Sequence, residues 1–288
     1  MSLFGIIASI IDGVLVGSVY GLAAMGLTLI WGVMDVVNLT HGSMIVAGMF
    51  ALYLLTSVLG ITPYATLLPV LVGGFLVGLA LYWIAVHRMI GRAPLMSLLS
   101  TFSVNLVLIG LGTAVWGTVL FNVPVSFPGV TWQRYTFPGT HLLAAALTAV
   151  IAACLYVFLY RTRLGKAIRA VAGNRQAAEL MGIPTTRVLA LAFALGVALA
   201  GVSGMLIATL FPFTLLSGDA YQLKSFVVIV LGGLGNPTGA LLGGIALGLL
   251  EGLVTPFIPV SWTLVIEFAL FVTVLIAFPR GVFALRRS

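Results

Sequence analysis

Six acids, three histidines and one cysteine are all the chain offers for acid–base, nucleophilic or metal chemistry. Their spacing supports none of it. His41, His87 and His141 lie in different segments, without the i, i+4 pairing that brings two imidazoles onto one metal ion. The acids are spread singly and no Gly-x-Ser-x-Gly elbow occurs. The glycine-rich stretch LGGLGNPTGALLGG invites a nucleotide-binding reading, but no lysine follows Gly239, and Gly233, Gly235 and Gly239 have the wrong last interval for a dinucleotide loop. No catalytic set, metal site, cofactor site or ATP-binding loop is therefore expected.

What remains is polar chemistry embedded in apolar sequence. In WGVMDVVNLTHG, Asp35, Asn38, Thr40 and His41 precede Gly42 at the junction of two apolar runs. In the glycine-rich stretch, Gly235, Asn236, Pro237, Thr238 and Gly239 split another. Proline removes a backbone donor and glycine weakens a helix, so the chain should unwind at both places. Unwound backbone at membrane depth survives only against protein or a water-filled cavity; an ordinary interfacial turn is the alternative at each. Ser97, Thr101 and Asn105 share one helix face and either line a polar path or, as is commoner, act as hydrogen-bonding glue between helices. Glu251 and Glu267 stand inside apolar runs, where an ionisable group is costly and marks a functional site unless it reaches the interface. Asn38, His41, Gly42, Thr101, Asn105, Gly235, Asn236, Gly239 and Glu251 are the candidates for a translocation path or a helix break.

The elements that hold these residues follow from composition. Hydrophobic residues make up 61% of the 288 and charged residues 7%, with a mean hydropathy of +1.25, against about 25% charged in a soluble domain. Such a chain belongs in a bilayer, where about 20 apolar residues make one helical crossing. Nine apolar segments, roughly 12–32, 41–60, 64–86, 94–117, 140–160, 188–211, 222–236, 238–254 and 261–279, predict an all-α polytopic membrane protein. About eight or nine helices cross the membrane, with one or two broken or re-entrant segments, in a single domain over 1–288. The formal charge of +7 would suggest nucleic acid for a soluble protein, but these basic residues sit in short loops between apolar runs, and no nucleic-acid partner is expected. The single Cys154 excludes an internal disulfide framework, and the N-terminus lacks signal-peptide features and is kept in the mature protein. Glycines recur every four residues at Gly13, Gly17, Gly21, at Gly235, Gly239, Gly243, and at Gly244, Gly248, Gly252, a spacing that lets membrane helices approach closely.

Eleven of the thirteen basic residues fall in the loop at 88–92, the segment 161–187 and the C-terminal tail, which the positive-inside rule places in the cytoplasm. The loops at 121–138 and 211–221 then face the other side. Within the polar segment RTRLGKAIRAVAGNRQAAELMGI, Asn174 is a good N-cap, a short helix should run from about Arg175 to Met181, and Gly182 with Pro184 should stop it. Ala177, Leu180 and Met181 would share a face beside Ala178, with Arg175 and Glu179 an i, i+4 ion pair. So short a helix needs neighbours or a partner to hold it.

Three stretches, Tyr20–Gly48, Gly165–Ile183 and Val228–Glu251, together resemble the permease subunit of branched-chain amino acid ABC importers of the leucine, isoleucine and valine type. The resemblance covers almost the whole chain. It implies a multi-pass subunit of the bacterial cytoplasmic (inner) membrane paired in the lipid bilayer with a second related permease, driven by two cytoplasmic ATP-binding subunits and served by a periplasmic substrate-binding protein. Hydrolysis would then belong to the partners, and segment 161–187 would couple to them through Arg169, Asn174, Ala177, Ala178, Glu179, Leu180 and Gly182. Members of the family also carry urea, short amides and other amino acids, and sugar permeases share a version of the loop motif. A secondary transporter or channel working alone is the alternative, although sparse, unpaired acids make a poor ion site.

Overall fold

A computed structural model describes residues 3–132 and 135–277. Since lipid leaves backbone groups no partner, each of the nine apolar segments folds as helix. In chain order the elements are α1 Leu3–Met34, α2 His41–Ser57, α3 Leu67–Leu81, α4 Pro94–Trp116, β1 Val130–Trp132, β2 Tyr135–Phe137, α5 Gly139–Arg161, α6 Arg163–Gly173, α7 Arg175–Leu180, α8 Thr185–Ala208, α9 Ser217–Gly232, α10 Pro237–Val254 and α11 Val260–Ala277. Short 3-10 and π turns extend α3 into a continuous rod from Pro63 to Met89. Strands β1 and β2 form an antiparallel hairpin with Val130 opposite Phe137.

Six helices among the described residues are long and apolar enough to cross a membrane; α2 and α11 are apolar but shorter. α1 begins at Leu3, well before the expected boundary. Asp12 lies within it, partly exposed, with its carboxylate paired to the His141 ring on α5. α9 likewise starts five residues early, at Ser217, where the Ser217 hydroxyl accepts from Thr214 N–H at 2.9 Å and Asp219 complements the positive helix end.

α8 forms the centre, buried over 89% of its most apolar window. Its run of Ala, Gly and Ser makes this possible, since only small side chains let four neighbours reach one helix. An added β-carbon at Gly204 would overlap the carbonyl of Ile45 on α2, and one at Gly48 would overlap that of Gly201. α1 runs antiparallel to α10, with Gly13 on Gly248, Gly17 on Gly244 and Gly21 on Leu241, backbone against backbone. The three four-residue glycine repeats are thus contact faces, with Gly239 and Gly243 packed on Gly232 and Val228 of α9. Because Gly239 meets the Gly232 carbonyl and not a yielding side chain, Gly239→Leu should separate α9 from α10 and cut folded yield in membranes several-fold; fluorescence-detected gel filtration at wild-type yield would refute the contact.

Two of the loop contacts lie at different ends of the bundle. Phe121 and Phe213, from the two loops expected on one side, exchange backbone hydrogen bonds of 2.8 and 2.9 Å and pack around Phe50. At the other end the Tyr82 hydroxyl donates to Thr186 O at 3.3 Å, joining the rod that leads to Arg88 with the segment 161–187. The tail arginines Arg280, Arg286 and Arg287 lie outside the described residues.

Candidate functional site

The break after α1 is built into the protein interior. Asp35 stops the helix in a left-handed conformation (φ 53°), which its short polar side chain tolerates. The chain then runs without helix to Thr40, with Asn38, Thr40 and His41 all buried. Asn38 Oδ1 accepts from Thr40 N–H (3.1 Å) and from the Thr40 hydroxyl (2.6 Å), an Asx-type turn that substitutes for the missing helix bonds. On α4 the Thr101 hydroxyl accepts from Leu39 N–H at 3.2 Å and lies 3.1 Å from Val37 O. Asn105 Oδ1 accepts from the Ser43 hydroxyl, and Gln222 Oε1 on α9 takes Gly42 N–H at 3.1 Å. Of the stripe Ser97, Thr101, Asn105, Thr101 bonds the unwound link and Asn105 the start of α2, as glue would. Both His41 ring nitrogens, Asn38 Nδ2 and Thr28 Oγ1 are buried without a hydrogen bond among the described residues.

The second break is of another kind. Gly233 and Gly235 take positive φ (89° and 79°), closing a turn between antiparallel α9 and α10 in which Leu234, Gly235 and Thr238 are exposed. Thr238 Oγ1 donates to Asn236 Oδ1 at 2.7 Å, and Gly235 rests against Gly32 near the end of α1. Gly235, Asn236 and Gly239 therefore form a hairpin tip at one end of the bundle, remote in sequence from the buried link.

That hairpin explains a partner the sequence did not reveal. Lys224 on α9 and Glu251 on α10 stand on the two arms of the hairpin, and their side chains form an ion pair. Glu267 of α11, fully buried, binds the same ammonium at 2.7 Å, and the Tyr20 ring lies under it at 4.8 Å. Sequence reading singles out each acid; Lys224 becomes visible only once positions 233–236 are read as the turn of a hairpin.

The polar segment contains two helices, not one. Thr162 caps α6, its hydroxyl accepting from Gly165 N–H at 3.0 Å, and Gly165, Ile168 and Val171 form its buried face. Leu164, Ala167, Ile168 and Val171, at helical intervals, were the available signal. Arg169 is turned back on the chain: its Nε donates to Leu159 O at 3.0 Å and its guanidinium stacks 4.4 Å from the Tyr160 ring. Asn174 caps α7 as expected, accepting from Ala177 N–H at 3.0 Å. Gly182 (φ 79°) ends it in a Schellman motif, with Ile183 N–H on Ala178 O and Gly182 N–H on Glu179 O, both 3.0 Å. Arg175 and Glu179 pair at 3.1 Å. The Thr185 hydroxyl, donating at 2.6 Å, and then Arg175 hold the Glu179 carboxyl below its ordinary range. Ala178 is 4% exposed, so it packs the helix onto its own chain, while Leu180 and Met181 stand 89% and 82% exposed. The outward apolar surface is therefore Leu180 with Met181, and a charge at Ala178 would test packing, not docking. Removing the cap with Asn174→Ala should cost about 1 kcal/mol locally, read as faster amide exchange over 175–180 in the assembled protein; unchanged exchange would show the helix held elsewhere.

Residues 9–275 match the family model for the branched-chain amino acid transport system permease component. The high-affinity branched-chain amino acid permease protein LivH of Salmonella typhimurium is 29% identical over 94% of this chain and 93% of its own. The probable branched-chain amino acid permease LivH of Methanocaldococcus jannaschii is 30% identical over 82% of this chain and 77% of its own. The ribose import permease RbsC of Bacillus subtilis is 32% identical, but over only 37% of this chain and 35% of its own. No solved structure matches. A bundle of apolar helices, a capped polar loop and a family match spanning nearly its whole length make this chain a member of the branched-chain amino acid transport permease family.

Proposed function

We propose that the chain is the membrane subunit of an ATP-driven importer of branched-chain amino acids in the bacterial cytoplasmic membrane. It pairs with a second permease, takes substrate from a periplasmic binding protein and is driven by two cytoplasmic ATP-binding subunits that dock on segment 161–187. The observation that carries this reading is the pair Leu180 and Met181, fully presented at the end of a self-capped two-turn helix on the basic face. A loop serving only to orient the chain needs arginines; it has no use for a capped helix ending in exposed apolar side chains. The hairpin loops at the opposite end supply the surface for the binding protein. Substrate class rests on the relatives, two of which are branched-chain amino acid permeases over most of their length while the ribose permease matches only a part.

The test is competition for uptake by the assembled transporter. Labelled leucine import should be displaced by isoleucine and valine and untouched by excess urea, acetamide or ribose. Displacement by one of the latter, with no effect of valine, would replace the substrate. A stand-alone secondary transporter is the competing reading, and the cluster around Lys224 supplies the buried charges it would require.

A further inference from the structure

We infer that Lys224, Glu251 and Glu267 form a binding site for a zwitterionic α-amino acid inside the bundle, with Glu251 receiving the ammonium group and Lys224 the carboxylate. The inference rests on the amino-acid reading above. Lys224 from α9, Glu251 from α10, Glu267 from α11 and Tyr20 from α1 converge on one point, and the Tyr221 ring lies 6.1 Å from that of Tyr20. Four helices thus bring two carboxylates, one ammonium and two aromatic rings together within an apolar bundle.

Packing of α1, α9 and α10 on one another does not require this cluster. α1, α9 and α10 are already joined by glycine contacts at Gly17, Gly244, Gly232 and Gly239. Buried ion pairs are commonly replaceable by apolar side chains at no loss of stability, and charges within membrane helices are kept where they act.

The cluster is also uneven in the way a ligand would need. Glu267 is fully buried; one of its oxygens accepts from Lys224 and the other has no hydrogen bond among the described residues. Lys224 and Glu251 each keep 15% of the side chain accessible. Lys224 and Glu251 are thus the more accessible members of the cluster, while Glu267 holds the lysine from behind.

An amino acid can open that pair by exchange. Its carboxylate takes the place of Glu251 on Lys224, and its ammonium takes the place of Lys224 on Glu251, with the Tyr20 ring face beside it. No net charge enters the low-dielectric interior, which makes the exchange affordable for a zwitterion and unfavourable for an amine or an acid alone. A sugar or urea offers neither charge and leaves the pair closed.

The experiment uses the complete transporter in proteoliposomes, with binding protein and leucine outside and ATP inside. It compares wild type, E251Q and the neutral triple variant K224Q/E251Q/E267Q, reading leucine uptake, binding-protein-stimulated ATP hydrolysis and complex yield. Both variants should assemble and hydrolyse ATP within about twofold of wild type while uptake falls at least about tenfold. A neutral triple that imports leucine at the wild-type rate overturns the site. Failure of both variants to assemble also overturns it, since the cluster would then be a structural clamp. If wild type itself imports no branched-chain amino acid, the substrate reading has failed, an outcome distinct from the other two.

Discussion

Replacing Gly48 with leucine should all but eliminate the folded protein, whereas the same change at Gly73 should leave it intact. At Gly48 the new side chain would have to occupy the space of the Gly201 carbonyl and Cα on α8, and at Gly73 nothing lies within 4 Å. α8 is the hub on which α1, α2 and α3 pack, and Gly201 and Gly204 of α8 face α2 through Gly48 and Ile45. Neither helix can yield without moving the other. Overpacking a core costs about 1–3 kcal/mol when side chains can shift, and a backbone collision sits at or above the top of that range. Gly48→Leu should therefore give at most a few per cent of wild-type yield after detergent extraction, with Gly73→Leu indistinguishable from wild type. A monodisperse Gly48→Leu protein at normal yield would mean that α2 and α8 do not cross here.

The second large effect lies at the opposite extreme of burial. Leu180→Asp combined with Met181→Asp leaves the bundle untouched, since both side chains project away from it, and should reduce uptake by at least about tenfold while membrane insertion is unchanged. A side chain that anchors the centre of a desolvated contact costs about 2 kcal/mol or more when lost, and introducing two charges there adds to that. The ATP-binding subunits should then fail to co-purify with the variant. Full uptake together with normal co-purification would remove segment 161–187 from the contact.

The sequence made the outline of this molecule legible because composition and periodicity are local. Nine apolar runs became helices, Asn174 and Gly182 bounded α7 as their cap chemistry requires, and the glycine repeats marked backbone contacts. What escaped was non-local. The partner of Asp12 in α1 is His141, on another helix. Lys224 gains its meaning from Glu251 and Glu267, 27 and 43 residues away, and α6 was hidden because its basic residues drew attention from its apolar stripe. The two polar breaks looked alike in sequence; burial separates them, one being a hydrogen-bonded link in the interior and the other a hairpin tip at the end of the bundle.

Energy source is the most direct test of the whole account. Leucine uptake into proteoliposomes should be measured with the chain alone under imposed proton or sodium gradients, and with its partner subunits under internal ATP. The account predicts uptake only in the second case, with no ATP hydrolysis by the chain alone. Concentrative uptake by the chain alone along an ion gradient would contradict it and make this a self-sufficient transporter.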